Sequence, residues 1–357
     1  MTLIRLDVQS LRNLRDVSIE PGPGFNLITG ANGSGKTSLL ESLHLLGLGR
    51  SFRTTRAQRL IMDDMASCVV HARLQDDTSL GVRKSRTEDS LARINGETVP
   101  LASLAHALPL QLIDPLSLDM LAGPSQPRRQ LLDWGVFHVE PAFMSVWQRA
   151  QRALQQRNSL LKSARISDQE LSVWEQELAQ SAELITAQRA AFFARWQPVL
   201  LAAMGRLLPD VSITASWQPG WDVDQPLQVL LRDSRARDIE RGFTHQGPHR
   251  ADIRLRVGGM NAEERLSRGQ LKMAVCAIKM SLLDLMSGMG MKPLLLVDDL
   301  AAELDVPARR RLCQWMQESG SQVWMTAIEP DALPLRDWGC DPVSRFHVEH
   351  GHLEMTT

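Results

Sequence analysis

The chain has 357 residues, with 40 Lys and Arg against 41 Asp and Glu and a formal net charge of −1. That length allows one large or two medium domains with ample core. The balanced charge excludes a globally basic nucleic-acid binder, so any DNA or RNA site must come from local arginine clusters. With no tyrosine, nine Trp and eight Phe, an extended aromatic platform for single strands is not expected. No apolar run approaches the roughly 20 residues of a membrane span, and the N-terminus lacks the basic start and apolar stretch of a signal peptide. Cys68, Cys276, Cys313 and Cys340 are scattered without a C-x-x-C pair, as expected of reduced thiols in a cytosolic protein.

In chain order, the first residues alternate like a strand, and Phe25-Asn26-Leu27-Ile28 is a short apolar run. Gly30-Ala31-Asn32-Gly33-Ser34-Gly35-Lys36-Thr37 then fits G-x-x-x-x-G-K-[ST] without a mismatch and leads into Ser38-Leu39-Leu40-Glu41-Ser42-Leu43, which has helical spacing. Strand, loop and helix are the context a P-loop requires. Glycines let backbone N–H groups wrap the β-phosphate, Lys36 neutralises the β/γ oxygens, and Thr37 offers its hydroxyl to Mg²⁺. All eight residues are therefore expected to bind ATP. Arg50, Arg53, Arg56 and Arg59 recur at every third residue, and Arg83-Lys84-Ser85-Arg86 forms a second basic cluster. Each cluster is read either as phosphate contacts to DNA, through Arg50, Arg53, Arg56, Arg59, Lys84 and Arg86, or as a solvated basic face. Gln111 is either a nucleotide-sensing glutamine near the metal or a strand-edge glutamine.

Two amphipathic helices are expected between residues 141 and 204. Phe143, Trp147, Leu154 and Leu161 mark one face of the first. The pattern breaks at Ile166-Ser167-Asp168, Ser167 and Glu170 form a capping box, and Leu171, Leu178, Ile185, Phe192 and Val199 keep a strict seven-residue repeat along the second. Such helices should pair as an antiparallel hairpin; about 30 residues at 1.5 Å each gives an arm of roughly 45 Å. Pro198 should end or kink it.

Residues Pro293-Leu294-Leu295-Leu296-Val297-Asp298-Asp299 read as a buried parallel strand ending in two carboxylates. Beside a P-loop this is the Walker B position: Asp298 would hold Mg²⁺ with Thr37, and Asp299 would orient or deprotonate the attacking water. Roughly 260 residues separate Lys36 from Asp298, so a whole domain is expected between them. Just before this strand, Leu266-Ser267-Arg268-Gly269-Gln270 opens a helix with Ser267 as a natural N-cap. This S-x-G-Q pattern resembles the signature of the ABC-type ATPases, which closes on the γ-phosphate held by a second subunit. The resemblance implies that Ser267, Gly269 and Gln270 act in trans, in an ATP-dependent homodimer with two composite sites. It also implies a D-loop at Ala302-Glu303-Leu304-Asp305, with Asp305 at the dimer seam. Thr326, at the end of Gln322-Val323-Trp324-Met325-Thr326, stands where those ATPases usually place a histidine. Threonine there, and Asp299 in place of the usual glutamate, are departures that suit slow turnover. Arg309-Arg310-Arg311 is read as solvated or paired with nearby acids.

The blocks Leu11-Arg12-Asn13-Leu14-Arg15, Gly49-Arg50-Ser51-Phe52-Arg53, Arg128-Arg129-Gln130-Leu131-Leu132-Asp133-Trp134 and Gly247-Pro248-His249-Arg250-Ala251-Asp252 resemble the RecF recombination mediators when taken with the P-loop, the signature and residues 297–305. The resemblance spans residues 1–355. It implies an α/β, ABC/SMC-type P-loop ATPase head (residues 1–110 and 266–357) with an inserted, mostly helical domain (111–265) carrying a short antiparallel helical hairpin. It implies a bacterial cytosolic ATPase, with ATP and Mg²⁺, that binds DNA as a dimer and cooperates with RecR and RecO to load RecA at single-strand gaps. The ATPase subunit of a transporter is the rival reading, although its helical insert is normally much smaller. A P-loop kinase would have no use for the segment from Ser267 to Gln270.

Overall fold

Parallel strands form where the sequence has apolar runs that do not alternate. The computed structural model describes residues 2–163 and 167–356. In it, Leu110–Ile113, Leu294–Val297, Val323–Ala327, Phe25–Thr29 and Val343–Glu349 lie side by side in that order, all parallel. His352–Thr356 closes the edge antiparallel to Val343–Glu349. The three central strands are buried along their whole length, which explains their unbroken apolar character. A second, antiparallel sheet takes the order Leu14–Ile19, Leu3–Leu11, Ser67–Leu74, Ser79–Ser85, Leu91–Ile94, Glu97–Val99.

The P-loop helix Lys36–Leu48 is buried from Ser38 to Gly47, because it lies within one apolar cluster shared by both sheets. Leu39, Leu40, Leu43 and Leu46 pack there with Val70 and Val82 of the antiparallel sheet and with Leu296 and Trp324 of the parallel one. A helix covered by a sheet on each side is buried nearly all round, and its polar members Glu41 and His44 are each hydrogen-bonded.

The chain divides into two compact units, the first running to Asp119 and resuming at Arg268, the second covering Met120–Ser267. The expected boundaries at 110/111 and 265/266 shift accordingly. Residues 111–119 belong to the head because Leu110–Ile113 pairs with Leu294–Val297 and Pro115–Leu118 packs on the signature helix Arg268–Gly288. Leu266 and Ser267 go with the inserted unit.

That unit holds helices Ser125–Val139, Phe143–Leu161 and Asp168–Leu207 and a three-stranded antiparallel sheet of Ile213–Gln218, Asp252–Val257 and Met260–Asn261. The two hairpin helices pack along each other. At 1.5 Å per residue the second, of 40 residues, is about 60 Å long and the first, of 19, about 28 Å. Ser167 caps the second by accepting from Glu170 N at 3.3 Å; the expected break at Ile166 lies outside the described residues.

Three expectations change here. The helix continues through Pro198, which is exposed while Trp196 and Leu200 on either side are fully buried; their packing offsets the roughly 3 kcal/mol that an interior proline costs. The heptad holds at Leu171, Leu178, Ile185 and Phe192 but passes from Val199 to Leu200, because an α-helix drifts about 20° per seven residues. In the first helix the buried stripe is Phe143, Val146, Ala150, Ala153, Arg157 and Leu161, and Trp147 and Leu154 are only half-buried.

Arg157 is the unexpected member of that stripe. Its fully buried guanidinium donates to Asp238 Oδ2 at 2.8 Å, Thr244 Oγ1 at 2.8 Å, Glu175 Oε1 at 3.1 Å and Leu231 O at 3.0 Å. The blocks beginning at Arg128 and Gly247 meet in this unit too. Arg128 forks onto Asp252 at 2.8 and 3.1 Å, Arg129 donates to Ala251 O at 2.8 Å, and Arg189 joins Asp133 at 2.7 and 2.9 Å to Pro248 O at 2.7 Å. Within this unit the two blocks are halves of one internal lock.

Replacing a buried cation strands its carboxylates. Arg157→Met is expected to lower the unfolding free energy of the inserted unit by about 3 kcal/mol. Arg149→Met, which breaks the exposed pair with Glu177, is expected to leave the urea midpoint in place. Urea titration followed by tryptophan fluorescence compares the two.

Candidate active site

The P-loop turns tightly against the strand Val343–Glu349. Gly30 has φ 146°, and a Cβ there would sit 2.3 Å from Val348 O, so only glycine fits. Lys36 Nζ donates back to Gly30 O at 2.7 Å and Ala31 O at 2.9 Å, which places its charge over the loop's mouth. Partial burial lowers the Lys36 pKa, against an upward pull from Asp299 and Asp298.

Below it, Asp298 Oδ1 accepts from Thr326 Oγ1 at 2.7 Å and from Thr37 Oγ1 at 3.2 Å. The Thr326 hydroxyl in turn accepts from Asp299 N at 2.9 Å. Thr326 therefore orders both acids of the strand end, a role that histidine-based expectation did not suggest. Burial raises the Asp298 pKa, and the hydroxyl bonds only partly oppose it. A buried carboxylate beside a threonine hydroxyl is a hard-oxygen pair suited to Mg²⁺, and the unfavourable burial of its charge is what such a cation relieves. Asp299 takes a left-handed conformation at φ 50°, which is uncommon for a non-glycine residue and typical of functional sites.

These groups line one cavity of about 550 Å³ together with Asn13, Asn32, Gly33, Gly35, Arg12, Arg53, Arg59, Ile61, Met62, Asp63 and Ile328. Arg12 is fixed there by a two-pronged bond to the fully buried Glu41 at 2.8 and 2.9 Å. Glu41 also takes the Ser51 hydroxyl, and Ser51 Oγ accepts from Arg53 N at 2.9 Å and Thr54 N at 3.0 Å. The block from Gly49 to Arg53 is thus a turn anchored on the P-loop helix.

The DNA candidates separate on this geometry. Arg53 and Arg59 border the nucleotide cavity. Lys84 is buried and donates to Ser90 Oγ at 2.7 Å, so it offers no charge to a phosphate backbone. Arg86 donates to Met65 O at 2.9 Å, Met62 O at 3.2 Å and Ile61 O at 3.3 Å, which holds the loop that brings Ile61, Met62 and Asp63 to the cavity. Arg50 and Arg56 are exposed. Gln111 is buried inside its strand and is not among the cavity's lining residues. Asp305 caps helix Val306–Ser319 by accepting from Ala308 N at 2.8 Å. Neither Asp305 nor Gly269 nor Gln270 lines the cavity. Ser267 and Gly269 are exposed. All four cysteines are free and buried, and among the described residues no helix is long and apolar enough to cross a membrane.

A parallel sheet with a P-loop and a paired-acid strand end, interrupted by a helical insert, defines an ATPase head of the ABC/SMC kind. The RecF/RecN/SMC N-terminal domain family model matches residues 2–337. The DNA replication and repair protein RecF of Chromohalobacter salexigens is 45% identical over 360 residues, covering 99% of each chain. RecF of Pseudomonas aeruginosa PAO1 is 42% identical over 364 residues, covering 100% of this chain and 98% of that one. The chain belongs to the RecF family. In solved structures, the recombination mediator RecF with ATPrS superimposes with a TM-score of 0.88 at 23% identity, over 99% of this chain and 98% of the other. An Smc head bound to the C-terminal winged-helix domain of ScpA does so with 0.61 at 14%, over 100% and 98%.

The raised Asp298 pKa carries a signed consequence. A carboxyl whose folded pKa lies above its unfolded value stabilises the fold only in its protonated form, so its contribution is lost as pH rises through the folded value. Asp298→Asn is therefore expected to raise the melting temperature of the nucleotide-free protein at neutral pH, by about 2–4 °C per kcal/mol relieved, and to abolish the Mg²⁺-dependent part of the shift on adding ATP. Thermal melts with and without Mg²⁺ measure both.

Proposed function

We propose that this chain is an ATP-dependent DNA-binding switch of the recombination-mediator type. The observation that carries this is the Thr37–Asp298–Thr326 chain at the floor of the P-loop cavity, with Asp299 held beside it. Lys36 and the P-loop amides bind the phosphates, Thr37 and Asp298 hold Mg²⁺, and Asp299 orients the attacking water. The bound ion supplies positive charge to the phosphate oxygens. The short Asp299 side chain makes hydrolysis slow, as suits a switch.

One cavity without Gly269 or Gln270 in its lining supports a site completed in trans by Ser267, Gly269 and Gln270 of a second copy, with Asp305 at the seam. ATP then drives a head-to-tail homodimer, and turnover releases it. DNA at single-strand gaps is the ligand of the dimer, and RecR and RecO are partners in loading RecA. The naming of the relatives as DNA replication and repair proteins and the RecFOR pathway of the matched structures support this reading. Exposed Arg50 and Arg56 remain as candidate phosphate contacts.

Steady-state ATP turnover without DNA, with duplex and with gapped duplex, at several protein concentrations, tests the proposal. DNA stimulation with a steeper-than-linear dependence on protein is expected; turnover linear in protein and indifferent to DNA would sink it. Lys36→Ala should lose nucleotide binding and ATP-driven dimerisation together. Asp299→Asn should keep ATP binding, slow turnover about 100-fold or more, and accumulate dimer in sedimentation runs. Monomer alone in that variant would refute its role.

A further inference from the structure

The block Leu11-Arg12-Asn13-Leu14-Arg15 has no part in the function proposed so far, yet its third residue makes two hydrogen bonds to the P-loop and one to the helix that follows it. Asn13 lies in the tight turn between strands Leu3–Leu11 and Leu14–Ile19, which pair up to Leu11 opposite Leu14. Its Nδ2 donates to Gly33 O at 3.1 Å and Ser34 O at 2.9 Å. Its Oδ1 accepts from Ser38 Oγ at 3.0 Å, in the first turn of the P-loop helix. Both ends of the amide are engaged, so the side chain has one orientation.

A second turn reaches the same place from the other end of the sequence. His350 and Gly351, with φ 49° and 79°, join Val343–Glu349 to His352–Thr356 as a two-residue hairpin turn. Gly351 N donates to Ser34 O at 3.0 Å. The two turns are in contact: a Cβ on Gly351 would lie 2.0 Å from Asn13 O.

In a planar trans peptide the C=O and the following N–H point opposite ways. Two donors holding the Ser34 carbonyl on the outer side of the loop therefore turn the Gly35 N–H toward the inner side. The lining agrees, since Gly33 and Gly35 border the cavity and Ser34 does not. The Ser34 N–H is used within the loop, donating to Ala31 O at 3.2 Å. We propose that Asn13, braced by the Gly351 turn, is the positioning residue that aims the Gly35 amide of the P-loop at the β-phosphate. It acts through the Ser34 carbonyl, while its second bond, to Gly33 O, fixes the loop next to it. The assignment rests on the nucleotide-binding reading above.

Asn13 is exposed, so Asn13→Ala should leave the nucleotide-free protein folded, with only a small drop in its unfolding midpoint from the unpaired, buried Ser38 hydroxyl. Losing the three hydrogen bonds of Asn13, two of them to the P-loop carbonyls, should weaken ADP and ATP by the same factor, about tenfold, and raise the KM for ATP more than it lowers kcat. Asn13→Asp, which removes the donor and adds a charge beside two carbonyls, should weaken both more severely. Gly351→Ala, which forces the turns apart, should move affinity in the same direction. Titrations of full-length protein with ADP and ATP in Mg²⁺ read this out. Affinities within twofold of wild type in Asn13→Ala would overturn the proposal, as would a loss confined to ATP, which would place Asn13 at the γ-phosphate. Wild-type protein that bound neither nucleotide would refute the nucleotide reading itself.

Discussion

The Asp298 carboxylate is where distant parts of the chain are joined, and the head is arranged around it. It sits at the end of a fully buried strand, next to Val323–Ala327 and one strand further from Phe25–Thr29, which feeds the P-loop. Parallel pairing brings the carboxyl ends of all three to one side, where a crevice of an open α/β sheet takes its ligand. Thr37 and Thr326 hydroxyls reach the same oxygen from the two flanking elements. Burying that charge is unfavourable without a cation, and the raised pKa records the cost.

Much of this was legible because the signals are local. The P-loop, the strand ending in Asp298-Asp299 and the capped arm helix each depend on residues within a dozen positions of one another, where spacing maps directly onto geometry. What failed to show depended on long-range partners. Arg157 sits at a core position that no hydrophobic pattern marks, since its burial depends on Glu175 and Asp238 contributed from elsewhere in the inserted unit. Pro198 reads as a stop or a kink; it does not stop helix Asp168–Leu207, which runs past it on the strength of Trp196 and Leu200. Gln111 reads as the first residue of the insert because its strand neighbour, Leu295, lies far downstream.

The arginines make the same point about charge. A run of cations in a sequence suggests a basic face, but a guanidinium has five donors in a rigid fork and suits carbonyl groups and carboxylates equally. Arg86 closes three loop carbonyls, Arg128 and Arg189 bind Asp252 and Asp133, and Arg12 binds Glu41. Arg309, in the triple-arginine run, donates to Ala332 O at 2.6 Å. Several of the arginines that a charge run suggests for a surface ligand are thus committed to carbonyls and carboxylates of this chain.

The P-loop itself shows how far a short motif depends on the rest of the chain. Its inner surface is backbone N–H, so its carbonyls must be satisfied from outside. The donors are Lys36 from within, Asn13 from a turn near the N-terminus, and Gly351 from a turn near the C-terminus. A ligand that binds only the folded head stabilises it by RT ln(1 + [L]/Kd), about 2.7 kcal/mol at a hundredfold excess over Kd. That stabilisation extends to every element the loop needs for its shape. On this reading nucleotide occupancy and the meeting of the two turns on the P-loop, one from each sheet, are linked equilibria.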